Sequence, residues 1–100
     1  MRNFYKHPVE TYPIGIDYTG KAPEGATLVS GTWSAIDTYD QQDASDDVLQ
    51  GASAVIAGMV AKCRVQGGTL TRTYLLRLAA TFDTGDVLHD QITMHVDVTG

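Results

Sequence analysis

Histidine, cysteine, serine and carboxylate side chains are the groups with which a small chain could do chemistry, and here their spacing keeps them apart. The three histidines are His7, His89 and His95. His89 and His95 fall six residues apart on the polar face of one predicted strand. That is about 20 Å at ~3.3 Å per residue, too far to share a metal ion. Ser30, in "LVSGTW", lies within a predicted strand and not on the strand-to-helix elbow that exposes a hydrolytic nucleophile. Cys63, the single cysteine, is flanked by Lys62 and Arg64 and reads as a small buried hydrophobe. A reactive thiolate would need exposure and a partnering histidine. Gly67 and Gly68 lack the Lys-Ser/Thr that completes a phosphate loop. Asp37, Asp40, Asp43, Asp46 and Asp47 crowd "IDTYDQQDASDD", which has neither the central glycine nor the closing glutamate of a calcium loop. It reads as a solvated acidic loop. The pattern predicts no catalytic residue, no metal site and no cofactor, and a protein that is not an enzyme.

Composition narrows the partners. Seven Lys and Arg against twelve Asp and Glu give a net charge of −5, and the basic residues are scattered. Phosphate backbones need clustered cations, so nucleic acid is not expected as a partner. One hundred residues, 43% hydrophobic and 19% charged, suit a single folded domain, residues 1–100, with residues 1–10 as an arm or edge segment. No apolar run is long enough for a signal peptide or a membrane span, so synthesis in the cytoplasm without membrane association is expected, in keeping with an unpaired thiol.

The elements that would position any site are strands. "TRTYLLRLAATF" alternates Tyr74, Leu76, Leu78, Ala80 and Phe82 against Thr73, Leu75, Arg77, Ala79 and Thr81. "FDTGDVL" predicts a hairpin turn with Gly85 at positive φ. The last strand sets Leu88, Ile92, Met94, Val96 and Val98 on one face, with Asp90 among them. Ala61, Cys63 and Val65 share another face. "ATLVSGTWSAI" is expected to point Val29, Gly31, Trp33 and Ala35 one way and Leu28, Ser30, Thr32 and Ser34 the other, with Trp33 as core anchor. Ile14, Ile16 and Tyr18 alternate as well, but Pro13 and Gly15 make theirs an edge strand. Residues 52–58 admit strand, loop or short helix. Six or seven strands with no secure helix predict an all-β fold, an immunoglobulin-like antiparallel β-sandwich.

In their order, "YPIGIDYTGKAPEGATLVSGTWSA" and "MVAKCRVQGGTLTRTYLLRLAATFDTGDVLHDQITMHV" resemble small phage and prophage proteins of the fibre–tail adaptor type. The pieces carrying the resemblance are Ile16-Asp17-Tyr18, Leu28 through Trp33, Gly67-Gly68, Tyr74, and Gly85 through Val96. The chain departs from that pattern where Gly31 and Thr32 follow Ser30, and in an acidic central loop longer than the family's. The resemblance implies a structural or adaptor protein that contacts phage tail or fibre proteins and is assembled into a particle. The expected partner-contact edge carries Ile14, Ile16 and Tyr18, since an exposed edge can accept a further strand. The alternative is a carbohydrate-binding β-sandwich module, with Tyr39 on the acidic loop as ligand contact.

Overall fold

The computed structural model describes residues 2–96. The order is β1 (Arg2–Lys6), β2 (Tyr12–Asp17), β3 (Leu28–Asp37), β4 (Gln42–Asp43), the single helical turn α1 (Ser45–Val48), β5 (Val55–Ala57), β6 (Val60–Val65), β7 (Thr73–Phe82) and β8 (Val87–Val96). These make a five-stranded sheet, β1-β8-β7-β3-β4, and a three-stranded sheet, β2-β6-β5. The all-β sandwich expected from the alternation is what forms, with eight strands among the described residues in place of six or seven. The additional strands are short: β4 has two residues and β5 three, too few for a period-two pattern to register. Pairing is antiparallel except at β1, which runs parallel to β8 with Arg2 opposite Ile92 and Lys6 opposite Val96. The expected continuation of the last strand to Val98 lies outside the described residues.

The core lies between the sheets. β7 buries Tyr74, Leu76, Leu78, Ala80 and Phe82, and β8 adds Ile92, Met94 and Val96. From the small sheet come Ile16, Tyr18, Ala61, Cys63 and Val65, with Trp33 of β3 in the same cluster. Trp33 is 1% exposed, so it packs and offers no face to a ligand. One expected face is corrected. Leu28 opposes Phe82 and Ser30 opposes Thr81, so a bulge at Val29 sets two residues of β3 against one of β7. The bulge shifts the phase, burying Leu28 alongside Trp33 and Ala35 and leaving Val29 exposed.

The sheets join on one side. Ala52 O accepts from Trp33 N–H at 2.6 Å, and Ala54 N–H donates to Gly31 O at 2.9 Å, leading the chain off β3 into β5. Residues 55–57 are therefore strand, and the one helical turn among the described residues falls instead in the acidic loop, where it buries Val48. On the opposite flank, among the described residues, β1 ends the large sheet and β2 the small one.

Passage from β6 to β7 turns on two glycines. Gly67 and Gly68 have φ of 51° and 93°. A Cβ on Gly67 would stand 2.8 Å from Asp47 O, and one on Gly68 2.8 Å from Val96 Cγ2. Over this corner Lys6, fully buried, donates from Nζ to Gly67 O at 2.6 Å and to His7 O at 2.9 Å. Gly67→Ala should destabilise by about 1–2 kcal/mol from its backbone conformation alone, with the contact on Asp47 O adding to that. Urea denaturation checks it; unchanged stability would show that the corner relaxes freely.

Burial lowers the Lys6 pKa, against a smaller upward pull from Glu10. The folded value lies below the ordinary 10.5, so the ammonium gives up its proton more readily in the folded state than in the unfolded one. Relative to Lys6→Met, stability should therefore rise as pH climbs through the folded value toward 10.5, while the buried Cys63 thiol, pushed up from 9.0 to about 12, lowers both proteins alike over that range. Chemical denaturation across the alkaline range measures both slopes; equal slopes in the two proteins would contradict the assignment to Lys6.

Candidate functional site

Three loops, residues 7–11, 38–41 and 66–72, gather at the end of the sandwich where β1, β3, β6 and β8 finish. Asp37 closes β3 there on its inward face, only 6% exposed. Its carboxylate ties two loops together. Oδ1 accepts from Tyr39 N–H at 2.9 Å, and Oδ2 accepts from Arg72 Nη1 at 2.6 Å. Thr38 adds two bonds to Thr73 O, from N–H at 3.0 Å and from Oγ1 at 2.8 Å. The Arg72 guanidinium lies 4.3 Å from the centroid of the Tyr39 ring and 3.8 Å from Asp40 Oδ2. Burial pushes the Asp37 carboxyl up, but the hydrogen bonds from Arg72 and Tyr39 outweigh it and hold the group below its usual value. The same bond raises Arg72.

Between these loops opens a cleft of about 440 Å³ bordered by Tyr39, Leu70 and Arg72. Gln41 and Thr71 hold φ of 61° and 71°, and among the described residues they are the non-glycine positions in the left-handed region. For β-branched Thr71 that conformation is costly, and the bond from its N–H to Val96 O at 2.8 Å helps to hold it.

The structure separates the edge-strand residues by depth. β2 is an edge of its sheet, yet Ile16 and Tyr18 are 0% and 1% exposed, and Ile14 is half-buried. Tyr18 N–H donates to Met59 O at 2.8 Å. By strand alternation Ile14 and Ile16 turn their backbones toward β6, and Pro13 and Gly15 turn theirs outward. Pro13, without an N–H, thus costs the ladder nothing. What this edge exposes is main chain, and the Ile16 and Tyr18 side chains lie in the core. Tyr39 is 77% exposed, but one face of its ring is covered by Arg72.

The other reactive groups do not converge. His95 stacks on Tyr5, ring centroids 4.8 Å apart, with Nδ1 3.2 Å from Thr73 Oγ1. His89 lies along β8, opposite Ala79. The Cys63 thiol is buried and pushed up to about 12 by desolvation. Among the described residues no group of three or more His, Cys, Asp or Glu could hold a metal ion, and no helix is long and apolar enough to cross a membrane. No sequence pattern marks Arg72, Leu70 or Lys6. Arg72 and Asp37 are 35 residues apart, and no local pattern links them.

A depressed carboxylate contributes stability above its unfolded pKa and loses it as pH falls through the folded one. Asp37→Asn should therefore lower the melting temperature at pH 7 and flatten the loss of stability under acid. Thermal denaturation at neutral and acidic pH reads both; a parallel acid limb in the variant would mean that Asp37 does not drive it.

The family model of the podophage GP4 fiber-tail adaptor protein gp77 matches residues 6–95. No curated protein matches the chain.

Proposed function

Because the chain belongs to the podophage GP4 fiber-tail adaptor family, we propose that it works without catalysis, joining tail and fibre proteins of a particle through the open flank of its sandwich. The observation that carries this reading is the pair of sheet edges, β1 and β2, left on one flank while the other flank is closed through residues 52–54. An edge offers N–H and C=O groups in a row, and a partner strand can take them up. On β2 the outward groups include Gly15 N–H and C=O together with Pro13 C=O. Gly15 lets β6 pack close on that side, because a Cβ there would meet Val60 Cγ1 at 3.1 Å and Lys62 Cγ at 3.3 Å. Ile14, Ile16 and Tyr18 support the edge from the core side, so the contact is chiefly made by backbone.

Quantitative proteomics on purified particles should find this chain at a fixed stoichiometry in the tail fraction. In the same particles, hydrogen exchange at the Gly15 amide should slow at least ten-fold relative to the free protein. Expression in the cell with absence from intact particles would contradict the adaptor reading. Presence in the tail with unchanged exchange at Gly15 would contradict the edge alone.

A further inference from the structure

We propose that the loop end of the sandwich is a second docking surface, which takes a basic segment of a tail or fibre protein into the cleft between Tyr39 and Leu70. The inference rests on the adaptor reading and adds to it a site, separate from the sheet edge, and the chemistry of the partner.

The first argument is charge. Six of the twelve acidic residues, Glu10, Asp37, Asp40, Asp43, Asp46 and Asp47, fall in the loop 7–11 or the segment 37–48. Asp47 O lies against the Gly67 corner, which places α1 at the same end as the cleft. The loops hold one arginine, Arg72, and it is already bonded to Asp37. Lys6 is buried beneath them on main-chain carbonyls. The end therefore presents more carboxylate than cation: Asp43, Asp46 and Asp47 are exposed, and so is Asp40, which shares Arg72 with Asp37 at 3.8 Å. Complementary charge on the partner means Lys or Arg.

The second argument is the apolar content of an otherwise acidic region. Tyr39 and Leu70 are 77% and 43% exposed, and they are the apolar members of a cleft of about 440 Å³ whose other lining is four threonines and Arg72, with the carboxylates at its rim. Tyrosine beside arginine is the composition in which interface energy concentrates. Here both are held before any partner arrives. The Tyr39 backbone is fixed by Asp37 Oδ1 and its ring by the Arg72 guanidinium, while Thr69 N–H donates to Tyr74 Oη at 2.8 Å. Side chains immobilised in advance lose little freedom on binding. The free side of Tyr39 and the Leu70 side chain would pack the aliphatic stem of a Lys or Arg whose cationic head reaches Asp40.

Purified particles grown without this gene, titrated with the recombinant full chain, provide the test. Two variants are compared with wild type at equal melting temperature: Tyr39→Ala with Leu70→Ser, and Asp40→Asn with Asp46→Asn and Asp47→Asn. Val55→Ala, exposed on the small sheet, is the control. The apolar variant should bind at least ten-fold more weakly. The neutralised variant should also bind more weakly and lose most of the salt dependence that wild type shows between 50 and 500 mM NaCl. If wild type and both variants bind alike, the docking surface is wrong and the adaptor reading stands. If wild type does not bind, both fall. Loss of binding in the apolar variant alone, with no salt dependence in wild type, would overturn the basic partner. Equal binding by all variants, with a glycan-array signal that depends on Tyr39, would replace the protein partner with a carbohydrate.

Discussion

The corner at Gly67 and Gly68 is where the parts of this molecule meet, and most of the structure depends on it. Both residues need positive φ, and both have backbone or side-chain atoms where a Cβ would go. Through this corner the chain leaves the small sheet at β6 and enters the large one at β7. Asp47 from α1 and Val96 from β8 close against it, and Lys6 from β1 caps its carbonyl. A cation removed from water is costly unless main-chain oxygens replace its hydration. Lys6 obtains those oxygens only when β1, the 7–11 turn and the corner are assembled together. The parallel strand and the crossing between sheets are thus coupled by one ammonium group.

That coupling fixes what the loop end can do. Asp37 and Arg72 approach from β3 and from the stretch just after the corner, so their bond forms only if β6 hands over to β7 in this geometry. The reactive groups show the opposite tendency. Cys63 is buried among apolar neighbours, and His89 and His95 are held at separate rows of β8. The sheets are scaffold, and the features suited to recognition are an open edge of main chain and a braced pair of loops.

Sequence alternation made the sheets legible, because a strand buried on one side repeats with period two. β7 and β8 run over the stretches from which they were expected, and Gly85 takes positive φ in the hairpin between them. Three features escaped that signal for physical reasons. The bulge at Val29 adds one residue and inverts the phase of β3, so Leu28 reads as outward when it is buried. β4, β5 and α1 are held by tertiary bonds, such as Ala44 N–H to Ala35 O at 2.9 Å, and not by local propensity. Pro13 and Gly15 mark β2 as an edge strand, yet the alternation of Ile14, Ile16 and Tyr18 does not say which face meets the core. Of the loop end, the acidic run from Asp37 to Asp47 with Tyr39 and the Gly67-Gly68 pair are visible in the sequence. Arg72 joins Tyr39 through a contact that sequence order does not encode.

A reconstruction of the particle's tail by cryo-electron microscopy, at a resolution that traces side chains, tests the central claim most directly. An adaptor of this form should appear between tail and fibre densities, with a neighbouring chain against the β2 edge or a basic side chain in the cleft at Tyr39. Particles that carry tail and fibre without this chain, or hold it with both surfaces facing solvent, would contradict that role.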